Sequence, residues 1–178
     1  MSEASNLGPL PEWDLGDLYP GAQSPELDAD LTKCLADAKA FRAAHEGKVA
    51  GLSGVDLARA ISGYEKLDEV LGRVMSFAGL LHSGNMSDPD IGKFYQSMQE
   101  RVNEISTELL FFSLEINRID EDALQDKLKA PELAHFSPWL RDTRAYRDHQ
   151  LSDELEQLLH EKYVSGRAAW TRLFDETM

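Results

Sequence analysis

Residues 56–117 read DLARAISGYEKLDEVLGRVMSFAGLLHSGNMSDPDIGKFYQSMQERVNEISTELLFFSLEIN. Leu57, Ile61, Tyr64, Leu67, Leu71, Val74, Ala78 and Leu81 recur at three- and four-residue steps, one face of a 3.6-residue period. Ile91, Phe94, Met98, Val102, Ile105, Leu109, Phe112 and Ile116 form a second stripe, which Leu110, Phe111 and Leu114 broaden toward its C-terminal end. The spacing predicts a helix from about Asp56 to His82, with Gly84 just past its end, and another from Pro89 to about Asn117. Each is on the order of 40 Å long at 1.5 Å per residue. Only Ser83 to Asp88 joins them, so they are expected to be antiparallel neighbours. Gly72, Ser76 and Gly79 share another face of the first helix and suggest close approach by a neighbouring helix.

Outward from this pair, the chain stays helical. Upstream, Ser24-Pro25 is a cap followed by proline at the first helical position, and Leu27, Leu31, Cys34, Leu35, Ala38 and Phe41 form one face of a helix that stops near Gly47. Cys34 on that face reads as a small core hydrophobe. Downstream, Asp120 starts a helix through about Lys129, Pro131 to Phe136 gives one turn, and Ser137-Pro138 starts a helix through about Arg147. Ser152 caps a helix with acids in its first turn and Leu155, Leu158 and Leu159 as apolar positions; a last helix spans about Gly166 to Glu176. No strand-like alternation, internal repeat or low-complexity segment interrupts this pattern. The expected fold is all-α: long antiparallel helices forming a hairpin or bundle, several shorter C-terminal helices, and an extended arm over residues 1–23 ahead of a helical domain at 24–178. Trp13, Leu15, Leu18 and Tyr19 give the arm apolar area with which to lie against the body.

The 178 residues carry 18 Lys+Arg against 32 Asp+Glu, a net charge of −14. Such a chain repels phosphate backbones and anionic membrane surfaces, which argues against nucleic-acid and membrane partners. The longest apolar runs, 77–81 and 109–112, fall far short of the roughly 20 residues of a spanning helix. The N-terminus lacks the basic and apolar regions of a secretory signal, and the single cysteine cannot form an intrachain disulfide. A soluble, cytoplasmic, reduced protein is expected.

The residues hold no self-contained active site. His160-Glu161 opens like a zinc-binding His-Glu-x-x-His, but position 164 is Val. Glu132-x-x-His135 is one copy of a pattern that carboxylate-bridged metal bundles need twice. Glu156 and His160 read as a surface pair one turn apart. Arg141, Arg144 and Arg147 alternate with Asp142 and Asp148, a mixed solvated face. No nucleophile elbow or phosphate-binding glycine loop occurs. Catalytic and metal residues are therefore expected to be absent from this chain, and substrate-binding residues are not legible. The apolar set Trp170, Leu173 and Phe174 lies directly before the final Asp175-Glu176-Thr177-Met178, and needs covering by a natural terminus or by the rest of a longer protein.

Leu10-Pro11-Glu12-Trp13-Asp14-Leu15-Gly16-Asp17-Leu18-Tyr19-Pro20 resembles the leading segment of oligoendopeptidase F-type (M3) zinc metallopeptidases. So do residues 151–157 (LSDELEQ) and 166–176 (GRAAWTRLFDE), with Tyr64-Glu65-Lys66-Leu67 and 73–78 (RVMSFA) fitting the family's long N-terminal helices. The resemblance implies an all-α, cytosolic enzyme that hydrolyses internal bonds of short peptides. Its zinc, held by the histidines of an H-E-x-x-H helix and a later glutamate, would lie in a catalytic domain that has no counterpart here. By implication this chain is the non-catalytic N-terminal domain, inactive alone, that forms one wall of the substrate channel and limits access. Its partners would be the catalytic domain of the same polypeptide and, in the full enzyme, oligopeptide substrates; weak self-association through uncovered apolar surface is also expected. The alternative is a free-standing acidic helical module that binds partner proteins.

Overall fold

The computed structural model describes residues 13–177. Among them there is no strand; the elements are α1 (Pro25–His45), α2 (Gly54–Gly84), α3 (Pro89–Arg118), α4 (Glu121–Lys127), α5 (Pro131–Ala134), α6 (Ser137–Arg144), α7 (Asp153–Glu161) and α8 (Ala169–Thr177). The helix starts follow the caps. Ser24 Oγ accepts from Leu27 N at 3.3 Å ahead of Pro25, and Asp88 Oδ1 accepts from Asp90 N at 2.8 Å and Ile91 N at 3.3 Å around Pro89. Asp120 caps α4 in the same way, through Asp122 N and Ala123 N. The α2 cap is Ser53, whose Oγ accepts from Asp56 N, so this helix begins two residues before the expected Asp56.

Other boundaries also differ from the sequence reading. Gly84 is the last residue of α2 rather than a left-handed residue beyond it, and the only positive φ among the described residues is Gly47 at 74°, which ends α1. Ser137 lies inside α6, whose cap position is Phe136 with no side-chain bond, and α6 stops at Arg144 rather than Arg147. A π-helical turn, Val164–Ala168, precedes α8, with Ala168 N donating to Tyr163 O at 3.0 Å.

Helices α1, α2 and α3 enclose the core. Ring contacts between α2 and α3 pair His82 with Tyr95, Phe77 with Phe94, and Tyr64 with Phe112. Phe41 of α1 joins Tyr64, Phe111 and Phe112 in one aromatic cluster, with the Phe41 and Phe112 rings 5.1 Å apart and edge-on. The stripes legible in sequence supply the buried side chains, among them Leu31, Leu57, Ile61, Val74, Ile105 and Ile116. Each such side chain contributes roughly 1.5–3 kcal/mol by leaving water.

Two features bind the loops to this core. Glu115 on α3 accepts from Gly47 N at 2.6 Å and Val49 N at 3.2 Å, fastening the α1–α2 connection. The tightest approach occurs at Gly54, where an added Cβ would lie 2.3 Å from Lys127 O and 2.8 Å from Ala130 Cβ. Lys127 Nζ in turn donates to Leu52 O. Of the arm, Tyr19 is buried: its hydroxyl donates to Asp30 Oδ2 at 3.0 Å, its ring meets Phe77 edge-on, and Arg73 lies 5.1 Å above it. Leu15 and Leu18 also pack on the core, but Trp13, expected to do so, is 69% exposed. Residues 1–12, which hold the first half of the expected arm and the Leu10-Pro11-Glu12 start of the resembling segment, lie outside the described residues.

Candidate docking face on the C-terminal helices

The residues with chemical potential are separated from one another. Cys34 is buried, with Sγ 3.8 Å from Leu67 O; burial first, then the charge of Asp37, pushes its thiol up to about 11, far from thiolate reactivity. Glu132 and His135 are exposed. Glu156 and His160 do not form the expected surface pair: Glu156 accepts from Leu151 N at 2.8 Å, and His160 Nε2 lies 2.8 Å from Ser106 Oγ on α3. Among the described residues no group of three or more His, Cys, Asp or Glu converges where a metal ion could sit.

Arg141 and Arg147 are exposed, as a solvated face requires, but Arg144 is not. Its side chain is 8% exposed and donates to the carbonyls of Ile116 and Ile119, each at 2.8 Å, and to Glu121 at 2.9 Å. Those carbonyls belong to the unsatisfied C-terminal end of α3, which a cation there stabilises. The Gly72, Ser76 and Gly79 stripe also departs from expectation. Gly72 and Ser76 are exposed, and an added Cβ at Gly72 meets nothing within 4 Å. Gly79 faces α3 at ordinary contact distance, 4.0 Å from an added Cβ to Tyr95, and the tight approach is instead at Gly54.

The unusual surface is formed by α7 and α8. Leu155, Leu158 and Leu159 occupy one face of α7, and with Leu151 they are 48–57% exposed. The opposite face is polar and holds the helix to the body: Asp153 pairs with Arg118, and His160 bonds Ser106. Ser106 Oγ donates to Asn103 O at 3.1 Å, which leaves its lone pair to accept from His160 Nε2–H. Helix α8 repeats the arrangement. Arg172 donates to Gln96 on α3 at 2.7 Å, while Trp170, Leu173 and Phe174 are 72%, 52% and 63% exposed. An amphipathic helix ordinarily turns its apolar stripe toward the body; these two turn polar residues toward it. Tyr163 lies between them, half exposed, beside a cavity of ≈ 500 Å³ lined also by Tyr95, His82 and Phe174.

Residues 115–178 match the family model described as oligopeptidase F, the N-terminal domain of M3 peptidases. The match takes in the last turn of α3 and every later helix, and so contains the exposed apolar residues of α7 and α8. No curated protein and no solved structure matches the chain. The matched segment begins at Glu115, the residue that fastens the α1–α2 connection, and therefore includes Arg144 and its carbonyl cluster. Sequence reasoning found Trp170, Leu173 and Phe174 as an uncovered set and named Leu155, Leu158 and Leu159 only as the apolar positions of their helix. Periodicity gives a stripe's width and not its direction. The signal for its direction is the charge opposite it, Asp153 and His160, whose partners Arg118 and Ser106 lie on a distant helix.

Proposed function

We propose that this chain is the non-catalytic N-terminal part of a zinc-dependent oligoendopeptidase acting on short peptides in the cytoplasm. In this reading it forms one wall of the substrate channel and limits access to unfolded oligopeptides. The zinc and the general base belong to a catalytic domain of the same polypeptide, which packs against the α7–α8 face. The observation that carries the reading is the coincidence of the family match with that face: the matched segment is the part of the chain that turns leucines and aromatics outward. Exposed leucines and aromatics gathered on two successive helices support an interaction site there. The alternative, a free-standing acidic interaction module, draws on the same face and the net charge of −14.

Sequencing the reading frame beyond the codon for Met178 separates the two. An in-frame H-E-x-x-H followed by a further glutamate supports the peptidase reading, and a stop codon with no such motif supports the module.

A further inference from the structure

We propose that the cavity between α8, the C-terminal end of α2 and the N-terminal half of α3 binds a small neutral heteroaromatic molecule. Its ligand is one or two fused rings with a hydrogen-bond donor and an acceptor on the ring edge. The inference goes beyond the peptidase reading and does not rest on it. His82 carries it. This residue lies in the last turn of α2 and is only 8% exposed, and its imidazole has no hydrogen-bond partner among the described residues. Buried polar groups ordinarily have one, so the exception calls for a cause. Asn117 Oδ1 is the one side-chain atom that is both sealed from solvent and unpartnered among the described residues. The His82 nitrogens are therefore not sealed, and they open onto the ≈ 500 Å³ cavity that His82 lines. That volume is within the roughly 300–1,000 Å³ of small-molecule sites.

The lining sets the chemistry of the ligand. The Tyr95 ring lies 13° from parallel to that of His82, centroids 4.8 Å apart, and Tyr163 and Phe174 add aromatic surface from the α8 side. Gly79 of α2 leaves room beside Tyr95, since an added Cβ there would be 4.0 Å from its ring. A neutral imidazole offers one N–H and one lone pair, and the Gln99 amide offers both kinds of group again. The two charged residues in the lining have opposite sign: Asp175, and Arg172, which is engaged with Gln96. Neither sign of ligand charge is favoured, whereas a flat ring with a donor and an acceptor meets both the aromatic surface and the imidazole. The site is distinct from the docking face. Trp170, Leu173 and the α7 leucines do not line it, and of the outward α8 residues only Phe174 borders it.

Benzimidazole, with one N–H and one ring acceptor, is the probe, used at about pH 7.5 where a free imidazole side chain is mostly neutral. Nuclear magnetic resonance titration of the isotope-labelled intact chain is expected to give saturable shifts confined to the cavity, at His82, Gln99 and Thr171 among others. The expected dissociation constant is on the order of 0.1–1 mM. N-methylbenzimidazole, which lacks the N–H, should bind about fivefold or more weakly. His82→Phe keeps a ring against Tyr95 but removes both nitrogens, and should weaken benzimidazole binding at least about tenfold with the helical circular dichroism spectrum kept. Gly79→Leu fills the cavity from α2 with His82 in place and should abolish the shifts; it decides the matter if His82→Phe fails to fold. No saturable shift up to about 10 mM probe, shifts scattered over other surfaces, or unchanged binding in either folded variant overturns the proposal.

Discussion

Ser106 Oγ and His160 Nε2 lie 2.8 Å apart and join α3 to the polar side of α7. That contact is why the leucines of α7 face water: a helix that satisfies a half-buried imidazole on one side presents the other side outward.

The first prediction follows from this imidazole. Burial lowers the His160 pKa, and the charge of Glu161 opposes that only in part. Burial and the charge of Lys48 lower His45 as well. A histidine whose folded pKa is depressed contributes stability that is complete above its free value near 6.5 and is lost as pH falls through the folded value. The chain is therefore expected to melt at a lower temperature at about pH 5.5 than at about pH 7.5, with α7 and α8 gaining hydrogen exchange first. His160→Gln should flatten the part of this dependence that belongs to α7. An unchanged pH profile in that variant would remove His160 from the account.

Glycine substitutions should distinguish true close approach from an exposed small residue. Gly54→Ala places a Cβ 2.3 Å from a backbone carbonyl that cannot swing away, and is expected to destabilise by about 2–3 kcal/mol. Gly72→Ala fills open space inside α2 and should stabilise by roughly 0.5–1 kcal/mol through helix propensity. Chemical denaturation of both variants checks the pair; a neutral Gly54→Ala would mean that α4 shifts freely.

Arg144→Ala should cost about 2–3 kcal/mol, because it strips a charged donor from the carbonyls of Ile116 and Ile119 at the end of α3. Arg144→Lys should recover only part of that loss, since an ammonium cannot reproduce the fork that also reaches Glu121. Equal stability of the Lys variant and the original would show that charge alone suffices.

The purified 178-residue chain is expected to hold no stoichiometric zinc and to cleave no oligopeptide. Elemental analysis and a peptide-hydrolysis assay check this together. One tightly bound zinc per chain, removed by a chelator along with activity, would contradict it.

The core was largely legible because its information is local. The stripes from Leu27 to Phe41, Leu57 to Leu81 and Ile91 to Ile116 name most of the residues that α1, α2 and α3 bury, and Ser24, Asp88 and Asp120 mark three of the helix starts. What was not legible depends on partners far apart in sequence. Nothing near Gly54 announces that the Lys127 carbonyl lies against it, and Gly72 and Gly79 look more like a crossing point than Gly54 does. Arg144 resembles its neighbours Arg141 and Arg147 until α3 is seen to end beside it. The outward turn of Leu155, Leu158 and Leu159 is likewise a relation between α7 and Ser106, more than fifty residues earlier.

The proposal that the segment similar to oligopeptidase F docks a catalytic domain through α7 and α8 is tested most directly by mixing. The 178-residue chain and the separately produced H-E-x-x-H-bearing remainder of its polypeptide should form a one-to-one complex in which Trp170 becomes shielded from a quencher, measured in a Trp13→Phe background because Trp13 is also exposed. Leu158→Lys should abolish the complex. A complex unaffected by that substitution, or no complex at all, would contradict the account.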